Sequence, residues 1–269
     1  MPLASIVDAF NDAFSQYEVP INMTVERLST MVAARGVRLD HSFARMEGDR
    51  VVAFVLNGSR TVDGELVAYD AGTGVRRDHQ GKGLGGELFE HVADELRAME
   101  YRRYLLEVLT GNAVALALYE AKGFAVVRTL HCYGADRSAI ARRHEGVTIG
   151  RATATEIARL VHLSGHRPSW QNSDEAIVST VEECLVLHSG EGPSAYAVFV
   201  PSTGNVMRVG WGDGDIETAR RVLAVAATLS AAPELKALNI DDADRKTNDG
   251  IVRLGFRRSV SQYEMERRL

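Results

Sequence analysis

Apolar residues recur at helical spacing at Ile6, Phe10, Ala13, Phe14 and Tyr17, and again at Val25, Leu28 and Val32 behind Thr24 as N-cap. Two short helices therefore open the chain. FARM (43–46) and VVAFVLN (51–57), joined by the polar turn Glu47-Gly48-Asp49-Arg50, predict a hairpin, and LVAYDAGTGV (66–75) predicts a third strand. Gly72 and Gly74 weaken the packing of that strand and point to a bulge or a close backbone approach. Past the polar stretch RRDHQ, Leu84, Leu88, Val92, Leu96 and Met99 share one helical face, and YLLEVL (104–109) follows as an apolar strand. That strand-helix-strand order makes the two strands parallel. Asn112 then caps a helix carrying Ala115, Leu118 and Tyr119, Gly123 ends it, and FAVVRTLHCY (124–133) predicts another strand.

From about residue 146 the same order of elements returns, and a slide of 132 residues lays Gly123-Phe124 on Gly255-Phe256 and LLEVL on ALNID. The charged, non-periodic segment Gly134–Gly146 reads as a linker. The fold class expected is α/β (α+β): two mixed-sheet domains in tandem, over residues 1–145 and 146–269.

The chain has 269 residues, 45% of them hydrophobic, with a net charge of -5. That charge argues against a nucleic-acid partner, whose phosphates are met by clustered Lys and Arg. Cys132 and Cys184 stand alone, without the companions a zinc site or a disulfide framework needs, and fit thiols in a reducing cytoplasm. No uninterrupted apolar run is long enough to span a bilayer, and the N-terminus lacks a leader pattern. A cytoplasmic protein with no membrane or nucleic-acid partner and no metal is expected.

The strongest chemical signal is Gln80-Gly81-Lys82-Gly83-Leu84-Gly85, placed between a strand and a helix. Amides at a helix start have no partner within the helix, the helix dipole favours an anion there, and glycines let a phosphate approach the backbone. Lys82, with Arg76 and Arg77 nearby, adds positive charge. A Walker loop is excluded because Gly81-Lys82 is followed by Gly83, not by Ser or Thr. A dinucleotide fingerprint would match Gly81-x-Gly83-x-x-Gly86, but Arg76–Gln80 separate the first glycine from its strand and Glu107 lies inside an apolar strand.

These residues resemble the GNAT superfamily of acetyl-CoA-dependent N-acetyltransferases. The loop fits the family's cofactor motif, and Asn112-x-x-Ala115-x-x-Leu118-Tyr119-Glu120-x-x-Gly123-Phe124 fits its following block; the specific likeness covers residues 5–133. The resemblance implies two GNAT-like domains and acetyl-CoA as co-substrate. The cofactor would be held by Thr73, Val75, Gln80, Gly81, Lys82, Gly83, Leu84, Gly85 and Asn112. It also places a tyrosine, here Tyr119, as the acid that protonates the departing thiolate.

A phenol stays protonated at neutral pH and can still donate to a thiolate. Tyr119 is equally a half-buried residue of an amphipathic helix. For the base, Glu107 is a carboxylate in an apolar strand, costly there unless paired (with Arg103, for instance) or useful, and Asp70 is the reserve. His131, His79, Phe14 and Tyr17 could border an acceptor. In the second half the slide puts Gly212-Asp213-Gly214-Asp215 at the loop, Ile251 at Tyr119 and Asn239 at Glu107, so cradle, acid and base are all lost. Direct acetyl transfer to the amine of a small molecule or peptide is expected, from a monomer or homodimer. A non-catalytic CoA-binding or sensing module is the rival.

Overall fold

The computed structural model describes residues 3–15, 22–141 and 145–269. Tyr17 lies outside them. The chain divides into two compact units, Met1–Val127 with Glu264–Leu269, and Arg128–Tyr263.

The first unit opens with α1 (Leu3–Ala13) and α2 (Val25–Arg35), the latter capped by Thr24, whose side chain accepts from Arg27 N. Strands β1 (Phe43–Glu47), β2 (Arg50–Val62) and β3 (Glu65–Val75) form an antiparallel meander. Next come α3 (Leu84–Ala98), β4 (Arg103–Leu109) and α4 (Ala113–Ala121). Phe89, Val92, Ala93 and Leu96 of α3 are buried, the spacing of one helical face. As the intervening helix requires, β4 is parallel to β3. The unit's sheet runs β1-β2-β3-β4, with the final stretch of the last strand, β11, beside β4. There Leu269 N donates to Arg102 O at 3.0 Å.

In the second unit β5 (Ala125–Asp136) is longer than its apolar core suggests, so Gly134 to Asp136 belong to a strand. A helical turn, α5 (Arg137–Ile140), follows it. The segment read as a linker thus begins with strand and helix, and residues 142–144 lie outside the described residues. Then come β6 (Val147–Arg151), α6 (Ala154–Leu160), α7 (Asp174–Ser179), β7 (Leu185–Ser189), β8 (Ala195–Val200) and β9 (Asn205–Trp211). The chain continues through α8 (Ile216–Leu229), β10 (Glu234–Asp241) and α9 (Arg245–Arg253) to β11 (Arg257–Arg268). The strand order is β6-β7-β8-β9-β10-β5, with the start of β11 next to β5. Here β9 and β10 pair in parallel, whereas β6–β7, β7–β8, β8–β9 and β10–β5 are antiparallel, so this sheet is mixed as well. The helices α8 and α9 start 132 residues after α3 and α4, the register read from the sequence.

Candidate active site

A fork between β3 and β4 organises the first unit. Their parallel pairing runs from Val67↔Arg103 to Asp70↔Leu106. Across β2, Asn57 faces Asp70 but Leu56 faces Gly72, so Ala71 is an extra residue, a β-bulge. The bulge that the glycines foretold is present, and Gly74 serves a close approach: a Cβ there would stand 2.7 Å from the Phe54 ring and 3.1 Å from Ala13. Arg76 N donates to Val52 O. By the alternation of an antiparallel ladder, Gly74 therefore turns its amide toward β2, whereas Thr73 and Val75 turn theirs to the opposite edge, where the paired register with β4 has ended.

The bulge also brings Asp70 and Thr73 to one face. Thr73 Oγ1 donates to Asp70 Oδ2 at 2.8 Å and Gly72 N to Oδ1 at 2.9 Å, while the Tyr119 hydroxyl donates to Oδ2 at 3.4 Å. Tyr119 is buried and packs edge-on to Phe89 (centroids 5.5 Å), in a cluster with Tyr104 and Phe124. The ring of Tyr119 belongs to the core, and its hydroxyl reaches Asp70 beside the fork. Burial pushes the Asp70 carboxyl up to about 6, against the pull of hydrogen bonds from Thr73, Gly72 and Tyr119 and of the Arg35 charge. Asp70 and Leu106 share a face by register, so Glu107, next in β4, is on the other face and half-buried. Arg103 pairs with Glu266 at 2.7 Å and with Glu65 at 3.9 Å.

The raised carboxyl sets a stability prediction. An unfolded aspartate titrates near ~3.9, so between about pH 4 and 6 the folded chain holds more protons at Asp70 than the unfolded chain. This contribution is present in full below that window and lost as pH rises through it. Relative to wild type, Asp70→Asn should gain stability from pH 4 to 7 by up to on the order of 3 kcal/mol. Urea unfolding of both proteins across that range measures the difference.

The glycine loop leads into α3. Gly81 and Gly83 have φ of 73° and 80°, and a Cβ at either would meet no atom within 4 Å. Gly83 is the N-cap, with no side chain to take the first amides of α3. Gly85 packs tightly: its Cβ would lie 3.2 Å from Val75 Cγ2. Gln80 Nε2 donates to Val75 O and Lys82 Nζ to Asp78 O, each tying the loop to its own base. Leu84 is half-buried at the helix start. Asn112 Oδ1 accepts from Ala115 N, the cap expected of it. Open amides, positive-φ glycines and unobstructed space fit a pyrophosphate.

Arg76 corrects the sequence reading. It is buried, donating from Nε to Val51 O and pairing with Asp8, with Asp12 at 3.9 Å, so its charge is spent on α1. Arg77 and Lys82 are exposed. His79 is held by Asp78 and Glu47 on a single 3-10 turn before the loop. His131 lies in the second unit, bonded to Ser261 and Asp242. Phe14 stacks on Phe10 at 4.5 Å.

The second unit repeats the fork and fills it. The parallel pairing of β9 with β10 covers Asn205↔Lys236 and Val206↔Ala237. Beyond it, Asn172 Nδ2 donates to Leu238 O, and Arg208 Nε to Asn172 O, bridging the strands. Leu163 O approaches Gly210 so closely that a Cβ there would stand 2.6 Å away. The ring of Trp211 lies against Gly250, and Lys246 Nζ donates to Trp211 O. The loop from Trp211 to Ile216 spans only residues 212–215, against 76–83 in the first unit. Asn239, at the position of Glu107, has φ 54°, which asparagine tolerates far better than most residues.

Among the described residues no group of three or more His, Cys, Asp or Glu side chains could hold a metal ion, and no helix is long and apolar enough to cross a membrane.

The acetyltransferase (GNAT) family model matches residues 4–124. The [ribosomal protein bS18]-alanine N-acetyltransferase of Escherichia coli (strain K12) is 36% identical over 96 residues, 32% of this chain and 62% of that protein. The chain thus spans a little under two thirds of the length of these curated relatives. A GCN5-related N-acetyltransferase from Sphaerobacter thermophilus aligns with a TM-score of 0.72 at 14% identity, covering 100% of this chain and 94% of that one. A tandem GNAT protein from the clavulanic acid biosynthesis pathway gives 0.70 at 12% identity, covering 99% and 94%. These two likenesses show the fold across both units. The fork, the glycine loop and the match to the acetyltransferase (GNAT) family model over residues 4–124 all fall in the first unit, and the fold across both units is like that of a tandem GNAT protein.

Proposed function

We propose that residues 1–145 transfer an acetyl group from acetyl-CoA to a primary amine, and that residues 146–269 are a degenerate partner without a cofactor site. The observation that carries this reading is the Tyr119 hydroxyl reaching the fork of β3 and β4, with the open start of α3 on the same unit. The amides of Gly81 to Gly85 and the Lys82 charge suit a pyrophosphate, with Gln80, Leu84 and Asn112 shaping the loop and the adjoining helix. The free edge at Thr73 and Val75 suits the amides of a pantetheine arm. Acetyl-CoA supplies an acyl group already activated as a thioester. Glu107, on one face of β4, takes a proton from the incoming amine; Tyr119, reaching the fork from the other face, gives its proton to the leaving sulfur. Exchange with solvent restores both groups. No step asks for a metal.

The bridged fork of the second unit, together with Asp213 and Asp215 in its short loop, supports one cofactor site per chain. Calorimetry with CoA should give a single site, and two equivalent sites would overturn the degenerate partner. The E. coli relative acts on an alanine of ribosomal protein bS18. An acceptor panel should therefore hold peptides beginning with alanine beside polyamines, amino acids and aminoglycosides. Acetyl-CoA-dependent thiol release with one of them is the expected result. CoA binding without release from any would favour a sensing module. A cytoplasmic monomer or homodimer is the setting we propose.

A further inference from the structure

Asp70 is a buried carboxylate that the transfer scheme above does not use. It was a candidate base, but it shares its face with Tyr119 and lies opposite Glu107. Two donors from its own strand, Thr73 Oγ1 and Gly72 N, fix both its oxygens, and the bulge at Ala71 makes that grip possible. A buried hydroxyl needs a partner.

We propose that Asp70 is a positioning residue for Tyr119, aiming its hydroxyl at the fork and keeping it a neutral phenol. This rests on the reading of Tyr119 as the acid. A carboxylate beside a phenol disfavours the tyrosinate, because two negative charges would then share one buried site. The acid stays loaded over the range in which an amine acceptor is neutral. Among the described residues, the charged or titratable groups acting on this site include Tyr104 on β4, whose own phenol is pushed up by burial and then by Asp70 and Tyr119, and Arg35 on α2. Arg35 donates to Ala71 O at the bulge and moderates the carboxylate without replacing it. Phe89 and Phe124 contribute only apolar surface.

The test reads Tyr119 by itself. Ultraviolet titration of the full chain, minus that of Tyr119→Phe, isolates the ionisation of this phenol. The same difference taken in an Asp70→Asn background should place its midpoint lower by roughly one to three pH units, the effect of removing a like charge at close range. Thr73→Val, which loosens the carboxylate without removing it, should give a smaller shift, and it decides the matter if Asp70→Asn does not fold. An unshifted midpoint in the folded variants would overturn the proposal. Failure of the acid reading is separate: it would show as an unchanged kcat for Tyr119→Phe, whatever the titration gives.

Discussion

Replacing Tyr119 with Phe should lower kcat by roughly 10²- to 10⁴-fold, the range that general acid catalysis supplies, with acetyl-CoA affinity nearly unchanged. The substitution removes one hydroxyl and little volume. The ring keeps its contacts with Phe89 and Phe124, so the packing around it is retained. Because a thiolate is a competent leaving group without help, the lower end of the range is expected. Steady-state kinetics with an acceptor from the panel, under conditions where chemistry limits turnover, measure it. An unchanged kcat would leave Tyr119 as a core residue alone.

Gly83→Asp should weaken CoA binding severely. Gly83 caps α3 with no side chain, at a φ of 80°, and the space a Cβ would enter is clear. A carboxylate there would face the pyrophosphate with like charge. At about 4 Å that repulsion is worth about 1 kcal/mol in water and about 4 kcal/mol near a protein surface, or roughly fivefold to several hundredfold in affinity. The backbone adds a second cost, since any side chain at this φ is strained. Gly83→Asn separates the two, having nearly the same shape and no charge. Calorimetry should find the Asp variant weaker than the Asn variant by the electrostatic factor. Equal affinities would mean that the loop does not hold the phosphates.

Much of this site is written locally. The loop glycines, the Thr24 and Asn112 caps and the parallel step from β3 to β4 each depend on a few neighbouring residues, and the structure has each of them. The role of Arg76 was not legible, because its partners Asp8 and Asp12 are far away in sequence and only packing of α1 brings them close. Asp70 stood in the sequence only as the reserve base. Its partnership with Tyr119 depends on which face it takes, and a single bulge residue, Ala71, decides that. The filling of the second fork was hidden for the same reason: Asn172 and Leu238 are distant in sequence, and no short-range pattern announces a side chain that bridges two strands.

The make-up of the first unit has a consequence for how it can fold. Its last strand segment, Glu264–Leu269, is separated from Met1–Val127 by the whole of the second unit. During synthesis β4 must therefore wait with a bare edge while Arg128–Tyr263 emerges. Such long-range closure is slow, and an unpaired edge invites pairing with other chains. A fragment ending at Val127 would keep the glycine loop, Glu107 and Tyr119 and still lack the strand that shields β4. Aggregation of that fragment, relieved by supplying the missing segment as a peptide, would show that the last strand works as a chaperone built into the chain.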